Sequence, residues 1–321
     1  MTVTLEQRLF RVYKGIDSLP KDETVIGQFI RYTVAKLHTG NDRDKALRIL
    51  LDTGPERCAM YVVGALGNED QAEYAEKYLY RVGPVRSVVE PLVGALGNEK
   101  SAHLAEKILM EFELTQEVSA VLIGALGNEA IVTRKLDSEV ITETITDTIV
   151  RILKSSQPTT YTYRYLSAAL SNPRQREYAK EVFIYYGHNV YSTGHVFLAL
   201  EKPDLETSNA AREILLSSNY GKKAARLIVV HSSNHPNFIT IGLDIISQMH
   251  LDAHSVRDII GLLDDERHCY IAKFFLMRLS DKIVVTELVR ALKDSTKNVI
   301  IKEILQFHEP SIVSYYRKTI T

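Results

Sequence analysis

The sequence predicts an all-α chain, an alpha-alpha superhelix of about nine stacked helix pairs, and three observations carry that prediction. The hexapeptide Gly-Ala-Leu-Gly-Asn-Glu occurs three times, at 64–69, 94–99 and 124–129, with a constant offset of thirty residues. A fixed period of this size is the signature of an array in which each repeat packs only against its neighbours. Between the copies, apolar residues recur in steps of three and four, which puts them on one face of a helix. Gly-Pro pairs at 54–55 and 83–84 separate consecutive apolar stripes. There Gly can end one helix in a left-handed conformation, and Pro, lacking an N–H, opens the next.

Taken in chain order, the first helices are predicted over 5–16 and 24–37. After the first hexapeptide come Ala72, Ala75, Leu79 and Val82; after the second come Ala102, Ala105, Leu109 and Phe112. The stretch Val85, Val88, Val89, Leu92, Val93, Leu96 makes a second stripe. Each repeat therefore reads as helix A, a tight turn, helix B and a short turn. Within the hexapeptide, Leu66, Leu96 and Leu126 are expected in the core. Gly67, Gly97 and Gly127 are expected to end helix B, and Asn68, Asn98 and Asn128 to cap the next helix A. Gly64, Gly94 and Gly124 fall inside helix B, where Gly costs about 1 kcal/mol relative to Ala. Their common register predicts close packing by a neighbouring backbone, or by something bound. Degenerate copies align on the last apolar residue of helix B at Leu37, Leu66, Leu96, Leu126, Leu170, Leu200, Val230, Leu263 and Leu292. The tail adds stripes at Val299, Ile300 and Ile304, and at Ile312, Val313 and Tyr316.

One step is irregular. Leu126 and Leu170 are 44 residues apart, about fourteen more than the period. The segment reads as a long helix over 138–153 followed by the polar run 154–160, where Pro158 stops any helix. The expected organisation is an N-terminal sub-array over 1–153, a linker or hinge over 154–165 and a C-terminal sub-array over 166–321. A plain loop insertion in one continuous solenoid is the alternative.

Charge and composition bound the function. A hydrophobic fraction of 45% suits a folded chain, and 39 basic against 40 acidic residues leave no overall basic footprint for nucleic acid. Two distant cysteines, Cys58 and Cys269, fit a reducing compartment without a disulfide framework. With no signal-like or membrane-spanning apolar run, a cytoplasmic protein without membrane contact is expected. Residues 51–150 carry 8 basic and 17 acidic residues, a balance that would repel a phosphate backbone and reads as a solvated face or a surface for a basic protein. Residues 151–200 reverse it, with 6 basic and 2 acidic. Here Tyr161, Tyr163, Arg164, Tyr165, Arg174 and Arg176 lie close in sequence, followed by Tyr185, Tyr186 and Tyr191. Tyrosine and arginine are the residues that dominate interface energetics, so this cluster is the candidate partner-binding patch; the same tyrosines could instead fill the core at the irregular step.

Two histidine pairs, His231/His235 and His250/His254, have the i,i+4 spacing that can ligate a metal from one helix face. Pro236 places the first in a turn and Asp252 marks a helix start inside the second, so solvated or capping histidines are expected. His268-Cys269 lacks a second nearby Cys for zinc. The expectation is no metal, no cofactor and no catalytic residue, since phosphate-loop, dinucleotide, nucleophile-elbow and zincin motifs do not occur.

Reading across the joint, Val85-Arg86-Ser87-Val88-Val89-Glu90-Pro91-Leu92-Val93-Gly94-Ala95-Leu96-Gly97-Asn98-Glu99 resembles the HEAT-like repeats of the phycobilisome-lyase type. Positions 54–130 match by motif and 165–316 by spacing and apolar pattern. The resemblance implies a HEAT-like solenoid, and the class includes protein-binding scaffolds, bilin lyases and chaperone-like factors, a metal hydroxylase and DNA glycosylases. The hydroxylase needs several His-Glu dipeptides, whereas this chain has one, His308-Glu309. A non-catalytic scaffold or adaptor for another protein is the function expected first. A bilin lyase or chromophore-handling factor, and a nucleic-acid-binding repeat protein using 151–200, are the alternatives.

Overall fold

A computed structural model describes residues 4–15, 17–38, 40–136, 139–217, 220–292 and 298–308. It is an all-α helical-repeat fold with a single two-stranded hairpin among the described residues. The chain divides into two compact units, Met1–Ala169 and Leu170–Thr321. The first holds α1 (Leu5–Tyr13), α2 (Glu23–Ala35), α3 (Arg43–Thr53), α4 (Pro55–Gly64), α5 (Glu69–Val82), α6 (Arg86–Ala95), α7 (Ala102–Glu111), α8 (Gln116–Gly124), β1 (Ile131–Leu136), β2 (Glu139–Thr144), α9 (Ile145–Ser155) and α10 (Thr160–Ala169). The second holds α11 (Arg176–Tyr186), α12 (Val190–Leu200), α13 (Leu205–Leu216), α14 (Gly221–Asn234), α15 (Ile239–Gln248), α16 (Ala253–Gly261), α17 (Cys269–Arg278), α18 (Lys282–Ala291) and α19 (Asn298–Leu305). The expected stripe at Ile312, Val313 and Tyr316 lies outside the described residues. No described helix is long and apolar enough to cross a membrane.

Each unit is a two-layer ladder. In the first, α3, α5, α7 and α9 pack in succession as layer A, and α2, α4, α6, α8 and α10 as layer B. In the second, α11, α13 and α15 form one layer and α12, α14, α16 and α18 the other, with α17 packed on α19. The nine aligned residues all fall at or near the ends of the even-numbered helices. Leu37, Leu66, Leu96, Leu126, Leu170, Leu200 and Leu263 are buried there, and Val230 and Leu292 half-buried.

Two residues beyond that leucine the chain reverses through one recurrent turn. The side chain of Asn68 accepts the N–H of Asp70, Asn98 that of Lys100 and Asn128 that of Ala130. The same bond forms at Asn172 to Arg174 and at Asp265 to Arg267. A short polar side chain folding back on its own backbone is what favours Asn and Asp in such turns. Asn68 thereby caps α5 directly, whereas Asn98 opens a turn and α7 starts only at Ala102.

The glycines depart from their expected parts. Among the second glycines of the hexapeptides only Gly127 has a positive φ, 83°. Gly67 and Gly97 instead sit where the next repeat comes close: a Cβ would lie 3.4 Å from Lys100 Cβ and from Ile145 Cδ1, respectively. The joint glycine Gly83, at φ 82°, does end α5 in the left-handed manner expected of it.

The irregular step also differs from expectation. The helix expected over 138–153 forms only from Ile145, as α9; its first part, 139–144, is instead the second strand of the antiparallel hairpin β1–β2, which pairs Ile131 with Thr144 and Leu136 with Glu139. Two six-residue strands and their two linking residues supply the excess of fourteen. Ile131, Val132 and Thr133 on one side and Val140, Ile141 and Thr142 on the other are β-branched, which favours a pleated over a helical backbone. α9 begins only at Ile145, behind a capping box formed by Thr144 and Asp147. The segment 154–165 holds the end of α9, four connecting residues and the first turns of α10.

Leu96, fully buried at the end of α6, tests the ladder. Leu96→Ala is expected to destabilise the chain by about 2–5 kcal/mol, measured as a lowered urea midpoint; an unchanged midpoint would contradict the packing described.

Candidate functional site

The two layers of the first unit present different surfaces. Across layer A, Glu76 of α5 meets Lys107 of α7 at 2.6 Å, and Glu106 of α7 meets Arg151 of α9 at 2.6 Å. The second unit repeats the device: Lys180 of α11 meets Glu213 of α13 at 2.6 Å, Arg212 meets Asp244 of α15, and Lys273 of α17 meets Glu303 of α19. Glu106 is buried and Glu76 and Lys180 are largely covered, while their partners are exposed; together these pairs mark register and occupy the charges of this face with one another.

Layer B carries a row with almost no side chains. Two residues before each aligned leucine stand Ala35, Gly64, Gly94, Gly124 and Ala168, all exposed and on successive helices α2, α4, α6, α8 and α10. A Cβ placed on Gly64, Gly94 or Gly124 meets nothing within 4 Å. The close intramolecular packing expected at these three glycines is therefore absent; of the hexapeptide glycines it is Gly67 and Gly97 at which a Cβ would come into ordinary contact with another repeat.

The tyrosine and arginine candidates are dispersed. α10 is fixed by a buried polar seam: Ser119 and Thr162 hydroxyls lie 3.0 Å apart, and Thr159 donates to the Leu114 carbonyl at 2.8 Å. This turns Tyr163 into the core, while Tyr161 and Arg164 face out and Tyr165 is half-buried. Tyr161, Arg164 and Ala168 follow at steps of three and four, so the first two extend the surface that holds the small-residue row. Arg174 and Arg176 belong to the other unit. Arg174 is exposed. Arg176 is largely covered; it donates to the Leu170 carbonyl at 2.9 Å and pairs with Asp204 and Glu206 at 3.5 and 3.3 Å. Its geometry is that of a pin holding the turn before α11. Tyr185 and Tyr191 are exposed.

Titratable clusters were poorly legible in sequence. Cys58 is fully buried, and burial pushes its thiol up to about 11, so it is no nucleophile at neutral pH. His254 is exposed, 4.0 Å from Asp258, and Asp252 caps α16. His231 and His235 differ. α14 runs on to Asn234 and His235 is its C-cap, so Pro236 does not separate the two rings. They stack with centroids 4.2 Å apart. Glu201, the residue after α12, brings Oε1 to 2.8 Å from His231 Nε2 and 3.8 Å from His235 Nδ1. Sequence reasoning missed Glu201 because it lies thirty residues away. The signal was the repeat period itself, which places Glu201 and His231 one repeat apart.

No known protein family matches this chain, and no curated protein is similar to it in sequence. What the coordinates define is a class: an all-α helical-repeat protein.

Three histidines of the second unit share a physical condition. Burial holds His188, His231 and His308 below the ordinary histidine value of 6.5. His188 donates to the Lys223 carbonyl at 2.8 Å and His308 to the Leu276 carbonyl at 3.0 Å. A histidine kept neutral by the fold binds fewer protons folded than unfolded, so stability rises with pH through this window. It is fully present above 6.5 and is lost as pH falls toward the depressed folded values. The melting temperature is expected to drop on acidification through this window, and less steeply in His308→Gln; a rise on acidification would contradict it.

Proposed function

We propose that this protein is a non-catalytic interaction scaffold of the HEAT-like kind, and that it grips another protein through the outer face of layer B in its first unit. The supporting observation is the exposed row Gly64, Gly94 and Gly124. Each glycine is the last or next-to-last residue of its helix, where Gly costs less than the about 1 kcal/mol of a helix interior, and no neighbouring atom requires the missing Cβ. A surface stripped of side chains in register lets a partner's backbone approach the helices closely. Tyr161 and Arg164, exposed beyond one end of the row, supply aromatic area and a planar cation of the type that anchors interfaces. Layer A suits this role less, because its cross-repeat charges are engaged with one another.

Two sets of substitutions separate binding from stability. Alanine at Gly64, Gly94 and Gly124, at the ends of their helices, is expected to raise stability by less than about 1 kcal/mol per site, read as an increased urea midpoint. Arginine at the same three positions keeps the helices, seen in the circular dichroism spectrum, and abolishes cross-linking to partners captured by the wild-type chain. Equal capture by the wild-type and arginine proteins would overturn the assignment of the face.

A further inference from the structure

We propose that Glu201, His231 and His235 form a binding site for a divalent transition-metal ion of the zinc class, with one coordination position open to the adjoining pocket. This site lies in the second unit and is independent of the interaction face proposed above. Its donor set is two imidazoles and one carboxylate, the borderline combination that suits zinc and its first-row neighbours. One ligand atom from each residue lies within 4.8 Å of the others. Bonds of about 2.0–2.2 Å to a tetrahedral ion place ligand atoms about 3.4 Å apart. The separations of Glu201 Oε1 from the two ring nitrogens, 2.8 and 3.8 Å, bracket that value, and ligation requires the exposed His235 ring to turn out of its stack on His231 so that both lone pairs point at one ion.

The support around the ligands is already in place. His231 stacks on Phe197 at 4.5 Å and meets the edge of Phe238 at 4.7 Å, which fixes its ring plane. His235 follows it by four residues as the C-cap of α14, with its ring stacked on that of His231. Glu201 comes from the end of α12, the neighbour of α14 in the same layer, so a bound ion would tie two successive repeats together. Burial favours the neutral form of His231, the form that ligates a metal. Three protein ligands leave the fourth tetrahedral position free, as in zinc sites that retain a water. Glu201 and His235 themselves line a pocket of ≈ 400 Å³, together with Asn234, Asn237, Phe238 and Ile241. The two amides can hydrogen-bond a water or a small oxygen-donor ligand held at the open position. A simple histidine–carboxylate hydrogen bond would account for Glu201 and His231. The stacking of His235 on His231 keeps its Nδ1 beside the same oxygen, so that all three donor groups meet at one place.

The test uses the full chain stripped with a chelator and titrated with zinc, followed by calorimetry and by melting temperature. A single tight equivalent and a raised melting temperature are expected. Glu201→Gln and His235→Ala should each weaken binding by roughly 10–100-fold or more, at least the cost of removing an outer-shell partner. Glu201→Gln preserves size and hydrogen bonding, so it reports on ligation even if His235→Ala disturbs the helix end. Cobalt in place of zinc should give the intense visible bands of a low-coordinate nitrogen and oxygen site, without a thiolate charge-transfer band. Zinc binding no stronger in the wild type than in the Glu201→Gln variant, or no binding by either, would overturn the proposal.

Discussion

Each helix pair of this chain has apolar surface toward the pair before it and the pair after it, and can bury neither side alone. That constraint is satisfied only by stacking, and the remaining features follow from the need to stack at constant register. The aligned leucine at the end of each even-numbered helix is the point where the constraint is sharpest. It must lie in the core, yet the chain must leave the core and reverse at once. A polar residue two positions later accomplishes the reversal by accepting a backbone N–H, at Asn68, Asn98, Asn128, Asn172 and Asp265. The turn saturates the backbone locally, so the reversal needs no help from a distant part of the fold.

Constant register also determines what the outer surfaces become. Residues one period apart stand beside each other on adjacent helices, so a lysine and a glutamate about thirty residues apart become an ion pair, as Glu76 and Lys107 do. Where the hairpin intervenes, the corresponding pair, Glu106 and Arg151, spans 45 residues and still forms. The insertion therefore leaves the packing of α7 on α9 in place. On the other layer the same register aligns residues with no side chain at all, and the ladder converts a local helix defect repeated three times into a continuous feature of the surface.

The Glu201, His231 and His235 cluster arises by the same logic. Glu201 and His231 are thirty residues apart, one repeat step, and the C-cap residue of α14, four positions after His231, adds the third group. A repeat array thus generates side-chain constellations from positions that no local motif would associate. Burial against Phe197 and Phe238 then changes the chemistry of the histidine at its centre, depressing its proton affinity.

The sequence by itself determined the helical class, the period and the residues near which the even-numbered helices end, because those depend on local spacing, turn chemistry and the thirty-residue offset. It also placed the nine aligned apolar residues on nine successive even-numbered helices. It did not reveal that the extra residues of the irregular step pair as β1 and β2, since an apolar run beside a helix reads equally as its extension. Which side of α10 faces the core was decided by the contacts of Thr159 and Thr162 with Leu114 and Ser119, and so were the opposite fates of Tyr163 and Arg164. That Gly97 rather than Gly94 lies at contact distance from another repeat likewise depends on the approach of Ile145. Only the tertiary structure could decide these points, because each depends on which atoms come within a few ångströms across repeats, a distance that sequence spacing does not encode.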